Sequence, residues 1–289
     1  MQYVGSKNKI SKELAPIIQS YITADTKGYL EPFVGGANMI DKIKHYNKIG
    51  CDIHKELIAL LKYSQSNELP ETVSEEEYIA VKNNKSNYED WYVGLVGFCA
   101  SFGAKYFGGF ARRYNKDGTV FDVPKQAINS LRKQSQNKLF KETKFTNCSF
   151  LDIPKDKIKD YVIYCDIPYR GTTKYSTVDF PYEDFYAWAK EMAKYNTVLI
   201  SEYDMPKPFK CIWQKDLKTS LGSGVNKNSD KVRVEKLFIC NRLWIIRKGK
   251  LLKISVDTQW DVWYYWYIRL VSINVLPLRS RLLILYKLN

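Results

Sequence analysis

One short stretch of the sequence brings together groups that could hold and activate a planar amine. Segment 161–165 is an apolar and aromatic run typical of buried parallel strands, and it stops at Asp166. Because Pro168 cannot continue a central strand, Asp166 should lie at the strand's carboxyl end, where open α/β sheets bind ligands. With the carbonyl of Ile167 and the ring of Tyr169, this carboxylate would suit a nucleobase. A plain strand end followed by a turn is the competing interpretation.

A second set of residues predicts a cofactor cleft. Segment 28–34 reads as a strand that leads into Gly35 and Gly36 and then into a helix. The two glycines allow a ligand to approach the backbone closely, and a helix N-terminus favours polar or anionic groups. Asp52 ends the next apolar run, about 20 residues later, which is the offset of the ribose-binding carboxylate in Rossmann-like sites.

The elements that must position these residues form an α/β pattern. A helix near Ile10–Ile22 precedes the first strand, because its apolar residues recur at helical spacing. After Asp166, the residues from Asp179 to Glu183 predict the start of a helix that ends near Tyr195. Strands over 197–201 and 234–240 follow, and the glycine-rich and polar segment 219–231 between them predicts a mobile loop.

Between residues 56 and 144 this pattern is interrupted by a segment predicted to be mostly helical. Capping-box patterns at Ser74 and Ser86 predict helices over 75–82 and 87–102. Glycines, aromatic residues and cations then alternate and lead into Asp117-Gly118, a hairpin-turn signal, before a helix over 127–139. Such a hairpin could contact base edges and phosphates, with a solvated basic loop as the alternative. The DNA-contacting residues predicted from this segment are Lys105, Arg112, Arg113, Tyr114, Asn115 and Arg132.

Composition favours a globular protein with a polyanionic partner. The 289 residues carry a formal net charge of +14, which favours binding to phosphates, and 22 tyrosines and 7 tryptophans that could stack on bases. Six cysteines without a C-x-x-C pair and only two histidines predict reduced thiols and no metal site. The absence of an apolar signal core and of a long apolar run before residue 240 predicts a soluble, cytoplasmic protein without membrane contact.

The tail from 245 to 289 does not follow the α/β pattern. It is rich in tryptophan and tyrosine, and its arginines argue against a membrane span. A packed appendage, a DNA-contacting extension and a non-native extension of the reading frame all remain open as interpretations.

The ordered motifs resemble those of the Dam-type N6-adenine DNA methyltransferases, with phage-encoded members most similar. The resemblance covers roughly residues 1–240 and rests on four segments in order: Tyr3–Lys7, Glu31–Gly36, Cys51–Ile53 and Asp166–Tyr169. It implies a Rossmann-like, S-adenosylmethionine-dependent methyltransferase fold with an inserted, mostly helical target-recognition domain. By this resemblance, residues 1–55 and 145–244 form the catalytic domain, 56–144 the insertion and 245–289 a tail of unknown role.

The resemblance also implies roles for individual residues. It implies that Asp166, Ile167, Pro168 and Tyr169 are catalytic. It implies that Tyr3, Lys7, Glu31, Phe33, Gly35, Gly36, Asp52, Asp152 and Asp166 contact the methyl donor. Double-stranded DNA is the implied partner, and GATC is the expected target. A cognate restriction endonuclease, as a partner in function but not in binding, is left open.

One departure from the family pattern concerns Ile167, where the family usually has proline. Any residue supplies a backbone carbonyl at this position, and Pro168 still favours an extended conformation before it. We therefore expect activity to survive, whereas a misplaced carbonyl could cost roughly 100-fold in rate.

Two other interpretations stay open: a catalytically impaired DNA-binding homologue, and a methyltransferase that acts on RNA or on a protein amide.

Overall fold

The computed structural model describes residues 1–170, 180–218, 232–240, 242–247 and 250–255. Within them, the helices are α1 Ser11–Ser20, α2 Lys55–Ser64, α3 Glu75–Asn83, α4 Asp90–Cys99, α5 Val123–Ser135, α6 Lys138–Lys141 and α7 Tyr182–Ala193. The strands are β1 Gly28–Glu31, β2 Lys48–Asp52, β3 Arg113–Tyr114, β4 Val120–Phe121, β5 Thr143–Asn147, β6 Tyr161–Asp166, β7 Thr197–Glu202, β8 Lys210–Lys218, β9 Val232–Cys240, β10 Arg242–Arg247 and β11 Lys250–Ser255.

Seven of these strands form one sheet in the order β5-β2-β1-β6-β7-β9-β8. The first five pair in parallel, and β9 runs antiparallel between β7 and β8. Numbered within the sheet, the first five strands follow the doubly wound order 3-2-1-4-5, which reverses between β1 and β6. The fold is therefore Rossmann-like, as the sequence predicts, and its ligand crevice should open beyond the carboxyl ends of β1 and β6.

Two apolar layers enclose the sheet because alternate residues of each strand point to opposite faces. In β6, Val162 and Tyr164 belong to the core on the side of α1, α2 and α4. Ile163 and Cys165 belong to the core on the side of α7. This alternation fixes which side chains of β6 face which layer, and it places Asp166 on the same face as Tyr164.

The segment between β2 and β5 holds helices α2 to α6 and a small hairpin. The hairpin pairs Arg113 with Phe121 and Tyr114 with Val120, as the Asp-Gly signal predicts, with Gly118 at a φ of +81° in the turn. Buried residues of α2, α4 and α5, such as Leu61, Val96 and Leu131, join the same apolar core as the sheet. The inserted segment and the sheet thus share one core.

Several sequence predictions differ from the structure. The helix expected after Gly36 is absent from this described stretch, which instead contains a 3₁₀ turn over Ile40–Lys42. Gly35 and Ala37 have φ values of +47° and +56°, which a right-handed helix cannot contain. The capping box expected at Ser86 is also wrong, because Ser86 lies in a 3₁₀ turn and α4 begins only after Glu89.

Other predictions are confirmed or lie outside the described residues. The Ser74 capping box is present, with reciprocal hydrogen bonds to Glu77. The strands β5 and β8 and the pair β10–β11 were not predicted. Asp179, the segment 219–231 and the tail beyond 255 lie outside the described residues. No helix in the described parts of the chain is long and apolar enough to cross a membrane.

Candidate active site

The centre of the site is an ion pair at the reversal of strand order. Asp166 is the last residue of β6, and its Oδ1 lies 2.7 Å from the Nζ of Lys7. Lys7 is the first residue of a 3₁₀ turn, in which the Ser6 side chain accepts a hydrogen bond of 3.2 Å from the backbone N–H of Asn8. The Lys7 side chain is 8% exposed and the Asp166 side chain 24%, so the pair is protected but Asp166 remains accessible from the crevice.

Two further groups complete this centre. The Lys7 ammonium lies 3.4 Å from Oε1 of Glu235 and 4.4 Å from the centroid of the Tyr169 ring. The Tyr169 hydroxyl donates a hydrogen bond to Glu235. The structure therefore brings Lys7, Asp166 and Tyr169 together around Glu235, a residue of β9 that the sequence analysis did not identify.

The charges of this centre shift the ionisation of its members. Burial raises the pKa of the Asp166 carboxyl, Lys7 opposes this increase, and Glu235 adds to it. Burial lowers the pKa of Lys7, but Asp166 and Glu235 outweigh burial and raise the Lys7 pKa above its ordinary value. Lys7 therefore stays positively charged and favours the ionised form of Asp166.

The tetrapeptide residues between Asp166 and Tyr169 have structural roles. The Ile167 side chain is buried in the core on the α7 side, on the face opposite to the Asp166 carboxylate. The Pro168 carbonyl accepts a hydrogen bond of 2.9 Å from the Tyr182 hydroxyl. The Ile167 side chain therefore packs into the core beneath the site rather than into the crevice.

The predicted donor-binding residues at β1 and β2 form a second group. Asp52 accepts hydrogen bonds from the backbone N–H of Gly35 at 3.1 Å and from that of His54 at 3.0 Å. Burial raises the pKa of Asp52, and these two donors oppose the increase. Tyr3 lies against the glycine turn: a Cβ at Gly35 would be 2.8 Å from its ring and one at Gly36 2.8 Å from its Cβ.

The remaining predicted donor contacts are spread around this group. Glu31 is buried, and its Oε1 accepts a hydrogen bond of 2.7 Å from the Tyr29 hydroxyl. Phe33 packs into an aromatic cluster, with its ring centroid 5.4 Å from that of Phe150. Asp152 is exposed and closes a capping box around the 3₁₀ turn after β5. Of these three, Asp152 is exposed, Phe33 is half-buried and Glu31 is buried.

The thiols of Cys51 and Cys148 meet where β2 and β5 end. A hydrogen bond between them raises the pKa of Cys51 and lowers that of Cys148. All six cysteines of the chain are free. Within the residues that the structure covers, no three side chains of His, Cys, Asp or Glu form a cluster that could hold a metal ion.

The predicted DNA contacts fall into two places. Lys105 and the hairpin residues Arg113, Tyr114 and Asn115 are exposed, and the Arg113 guanidinium lies 3.4 Å from the centroid of the Phe121 ring. Arg112 forms an ion pair with Glu75 on α3.

Arg132 lies apart from the hairpin. Its guanidinium donates to the carbonyls of Leu69 and Pro70, at 3.1 and 3.0 Å. It therefore has a structural role that its charge did not predict.

Two buried acids near the site, which the sequence did not predict, share one feature that is recognisable in the sequence. Glu235 is a buried acid within the largely apolar strand β9, and Glu202 is a buried acid at the end of β7. A carboxylate in such a strand must be paired, since burial of an isolated charge is costly. That rule identifies both residues, but not their partners.

The strand order defines a Rossmann-like protein with a candidate ligand site where that order reverses. Residues 3–97 match the family model MethyltransfD12, the D12 class N6 adenine-specific DNA methyltransferases. This part of the chain is therefore similar to the adenine-specific DNA methyltransferases, which supports the Dam-type resemblance. The match includes Lys7 and Asp52, whereas Asp166 lies beyond it.

Other comparisons give two results. No curated protein matches the sequence. The solved structures that match include SMU.472, a candidate methyltransferase complexed with SAH, with 12% identity and a TM-score of 0.34. That match covers 82% of this chain and 53% of SMU.472, so the chain spans about half the length of that protein.

Proposed function

We propose that the protein is a site-specific DNA methyltransferase that transfers a methyl group from S-adenosylmethionine to adenine N6 in duplex DNA after base flipping. The observation that carries the proposal is the 2.7 Å contact between Lys7 and Asp166. It joins the segment matched by the adenine methyltransferase family to the tetrapeptide that follows β6.

The residues at the ends of β2 and β5 fit S-adenosylmethionine. Asp52 is held by two backbone N–H groups and keeps lone pairs for ribose hydroxyls. Ile53 and Leu151, beside Asp52 and Asp152, are 76% and 50% exposed and offer apolar surface to a purine ring. When bound, S-adenosylmethionine supplies a methyl group on a positively charged sulfur. The roles of Tyr3, Lys7, Glu31, Phe33, Gly35 and Gly36 towards it stay predictions.

Asp166 is the residue that acts on the target amine. Lys7 engages one carboxylate oxygen, so the other can accept a hydrogen bond from N6. That acceptor and the backbone carbonyl of Ile167 stabilise the positive charge that develops on nitrogen as it attacks the methyl group. Lys7 favours the ionised form of Asp166 for this role. As the bond between N6 and the methyl group forms, the bond between the methyl group and sulfur would break, and N6 would then lose a proton to water.

Tyr169 is the residue proposed to stack on the flipped adenine. Its ring is 9% exposed, with Lys7 over it at 4.4 Å and Tyr203 edge-on at 4.5 Å between centroids. Stacking therefore requires Lys7 or Tyr203 to move when the base enters. The unpairing and unstacking of that base cost a few kcal/mol, which the site must offset.

DNA binding is supported by charge and by exposure. The chain has a net charge of +14, and the hairpin presents Arg113, Tyr114 and Asn115 to solvent. The Arg113 guanidinium lies over the Phe121 ring and the residue is exposed, so its N–H groups could contact phosphates or guanine. Because Arg132 is occupied by backbone carbonyls, we place the DNA contacts at the hairpin rather than at α5.

The test is direct detection of the product. Purified protein is incubated with S-adenosylmethionine and methylation-free duplex DNA, and N6-methyladenine is measured by mass spectrometry after digestion to nucleosides. We expect a signal that falls by at least about 100-fold in Asp166→Ala and in Asp166→Asn, which keeps a hydrogen-bond acceptor for Lys7. Asp25→Ala, at an exposed loop position, is the matched control and should retain full activity.

Two outcomes would contradict the proposal. Full activity in folded Asp166→Ala would remove this residue from the chemistry. No product from the wild-type protein, although donor and DNA both bind, would favour a DNA-binding homologue without turnover. Competition among duplex DNA, RNA and protein substrates identifies the true acceptor.

A further inference from the structure

Glu235 is a buried acid whose partners all belong to the candidate active site. Glu235 is 5% exposed and lies on β9 beside the core residues Leu237 and Ile239. A carboxylate in such surroundings is tolerated only with paired charge and hydrogen bonds. Glu235 obtains both from residues distant in sequence, Tyr169 and Lys7.

These contacts restrain two groups at once. Tyr169 is fixed at its hydroxyl by Glu235 and at its ring by the Lys7 ammonium, 4.4 Å from the centroid. Lys7 lies between two carboxylates, 2.7 Å from Asp166 and 3.4 Å from Glu235. Each of the three residues around Glu235 therefore depends on it, directly or through Lys7.

We propose that Glu235 is a positioning residue for adenine methylation, which rests on the function proposed above. It holds the Tyr169 hydroxyl and gives Lys7 a second carboxylate. When the target amine binds Asp166, Lys7 can move towards Glu235 and remain in the site as a paired cation. Asp166 then presents an oxygen to N6, and the Tyr169 ring stays anchored while its face becomes available to the base.

Misplacement of these groups should affect the rate more than binding. A small error in orientation can cost roughly 100-fold in rate. Asp52, the residue proposed to bind the donor's ribose, is held instead by the backbone N–H groups of Gly35 and His54. A Glu235 variant should therefore lose kcat and retain its KM for S-adenosylmethionine. A residue with only a structural role would instead lower the amount of folded enzyme without this pattern.

The pH profile gives a second readout. The charged or titratable groups that interact electrostatically with Asp166 are Glu31, Tyr164, Lys7, Glu235, Tyr169 and Cys165, the last of which lies on the opposite face of the sheet. Glu235 raises the pKa of Asp166 and Lys7 lowers it. Glu235→Gln should therefore shift the acid limb of the kcat profile to lower pH, and Lys7→Gln should shift it to higher pH.

The experiment compares isosteric variants after wild-type activity has been established. Glu235→Gln should lower kcat by about 10- to 100-fold and leave the KM for S-adenosylmethionine within about twofold. Tyr169→Phe removes the hydrogen bond to Glu235 altogether, whereas Glu235→Gln replaces its charged acceptor with a neutral amide oxygen. The double variant should lose little more than the worse single variant, because both act through one contact. Glu191→Gln, on the exposed surface of α7, is the control that should behave as wild type.

Each result separates the two proposals. Absence of N6-methyladenine from the wild-type protein refutes the proposed function itself. An active wild type with normal kcat in Glu235→Gln, or with the acid limb unmoved, refutes the role of Glu235. If Glu235→Gln does not fold, Tyr169→Phe decides: a lower kcat supports the positioning role and an unchanged kcat refutes it.

Discussion

The buried carboxyl of Glu202 should make the stability of the protein depend on pH. Glu202 ends β7, is 1% exposed and accepts hydrogen bonds from the backbone N–H of Tyr203 at 2.7 Å and of Arg170 at 3.2 Å. Burial outweighs these donors and raises its pKa from 4.5 to about 7. The folded protein therefore binds a proton at Glu202 over a pH range in which the unfolded chain has released it.

The direction and size of the effect follow from this difference. Below the unfolded pKa, Glu202 is protonated in both states and its full stabilising contribution is present. As pH rises from the unfolded pKa of 4.5 to the folded pKa of about 7, the folded state holds more protons than the unfolded state, so the free energy of unfolding falls. The loss amounts to about 3 kcal/mol at most, since one pKa unit corresponds to about 1.4 kcal/mol. Glu202→Gln cannot titrate and should not show this loss.

Urea unfolding of wild type and Glu202→Gln at about pH 5 and about pH 8 measures the effect. Gln has one carbonyl acceptor where Glu has two oxygens, so the variant should be less stable than wild type near pH 5, by about 1 kcal/mol. Near pH 8 it should be the more stable of the two. Glu191→Gln controls for the loss of an exposed charge. If the stability difference between variant and wild type changes by less than about 0.5 kcal/mol between the two pH values, Glu202 does not take up a proton on folding.

Three further perturbations test other parts of the structure. Asp52→Ala should weaken binding of S-adenosylmethionine about 10- to 100-fold in calorimetry, because the carboxylate acceptor is lost; unchanged affinity would contradict its role. Arg113→Ala should weaken binding to all duplex sequences and reduce the slope of log K against log salt by about one if the guanidinium contacts a phosphate. Gly94→Ala should lower the free energy of unfolding by about 1–3 kcal/mol, because its Cβ would lie 2.2 Å from the Glu56 carbonyl oxygen of α2; an unchanged urea midpoint would refute this packing argument.

The parts of the site that could be predicted from sequence are those with local signals. Asp166 and Asp52 each follow an apolar run, and both lie at the end of a parallel strand. The Asp-Gly pair gave the hairpin, because its left-handed glycine is a property of the turn itself. The carboxyl-end rule of α/β sheets then placed both acids at the same edge of the sheet without any knowledge of the strand order.

The parts that could not be predicted depend on contacts between distant segments. Glu235 is separated by 66 residues from Tyr169 and more than 200 from Lys7, and only the insertion of β9 beside β7 brings them together. The helix expected after Gly36 failed because close contacts with Tyr3 and positive φ values govern that turn. Arg132 was assigned to DNA by its charge, whereas the loop at 69–70 uses its N–H groups.

The single apolar core shared by the sheet and the segment between β2 and β5 constrains how this protein can diversify. Leu61, Val96 and Leu131 contribute to the same cluster as Ile18 and Leu199, so exchange of the whole segment with that of a relative would disrupt the packing of the sheet. The segment is therefore not a unit that could be exchanged independently of the sheet. If the exposed hairpin contacts DNA as proposed, point substitutions there could change the sequence preference without disturbing the packing of the core.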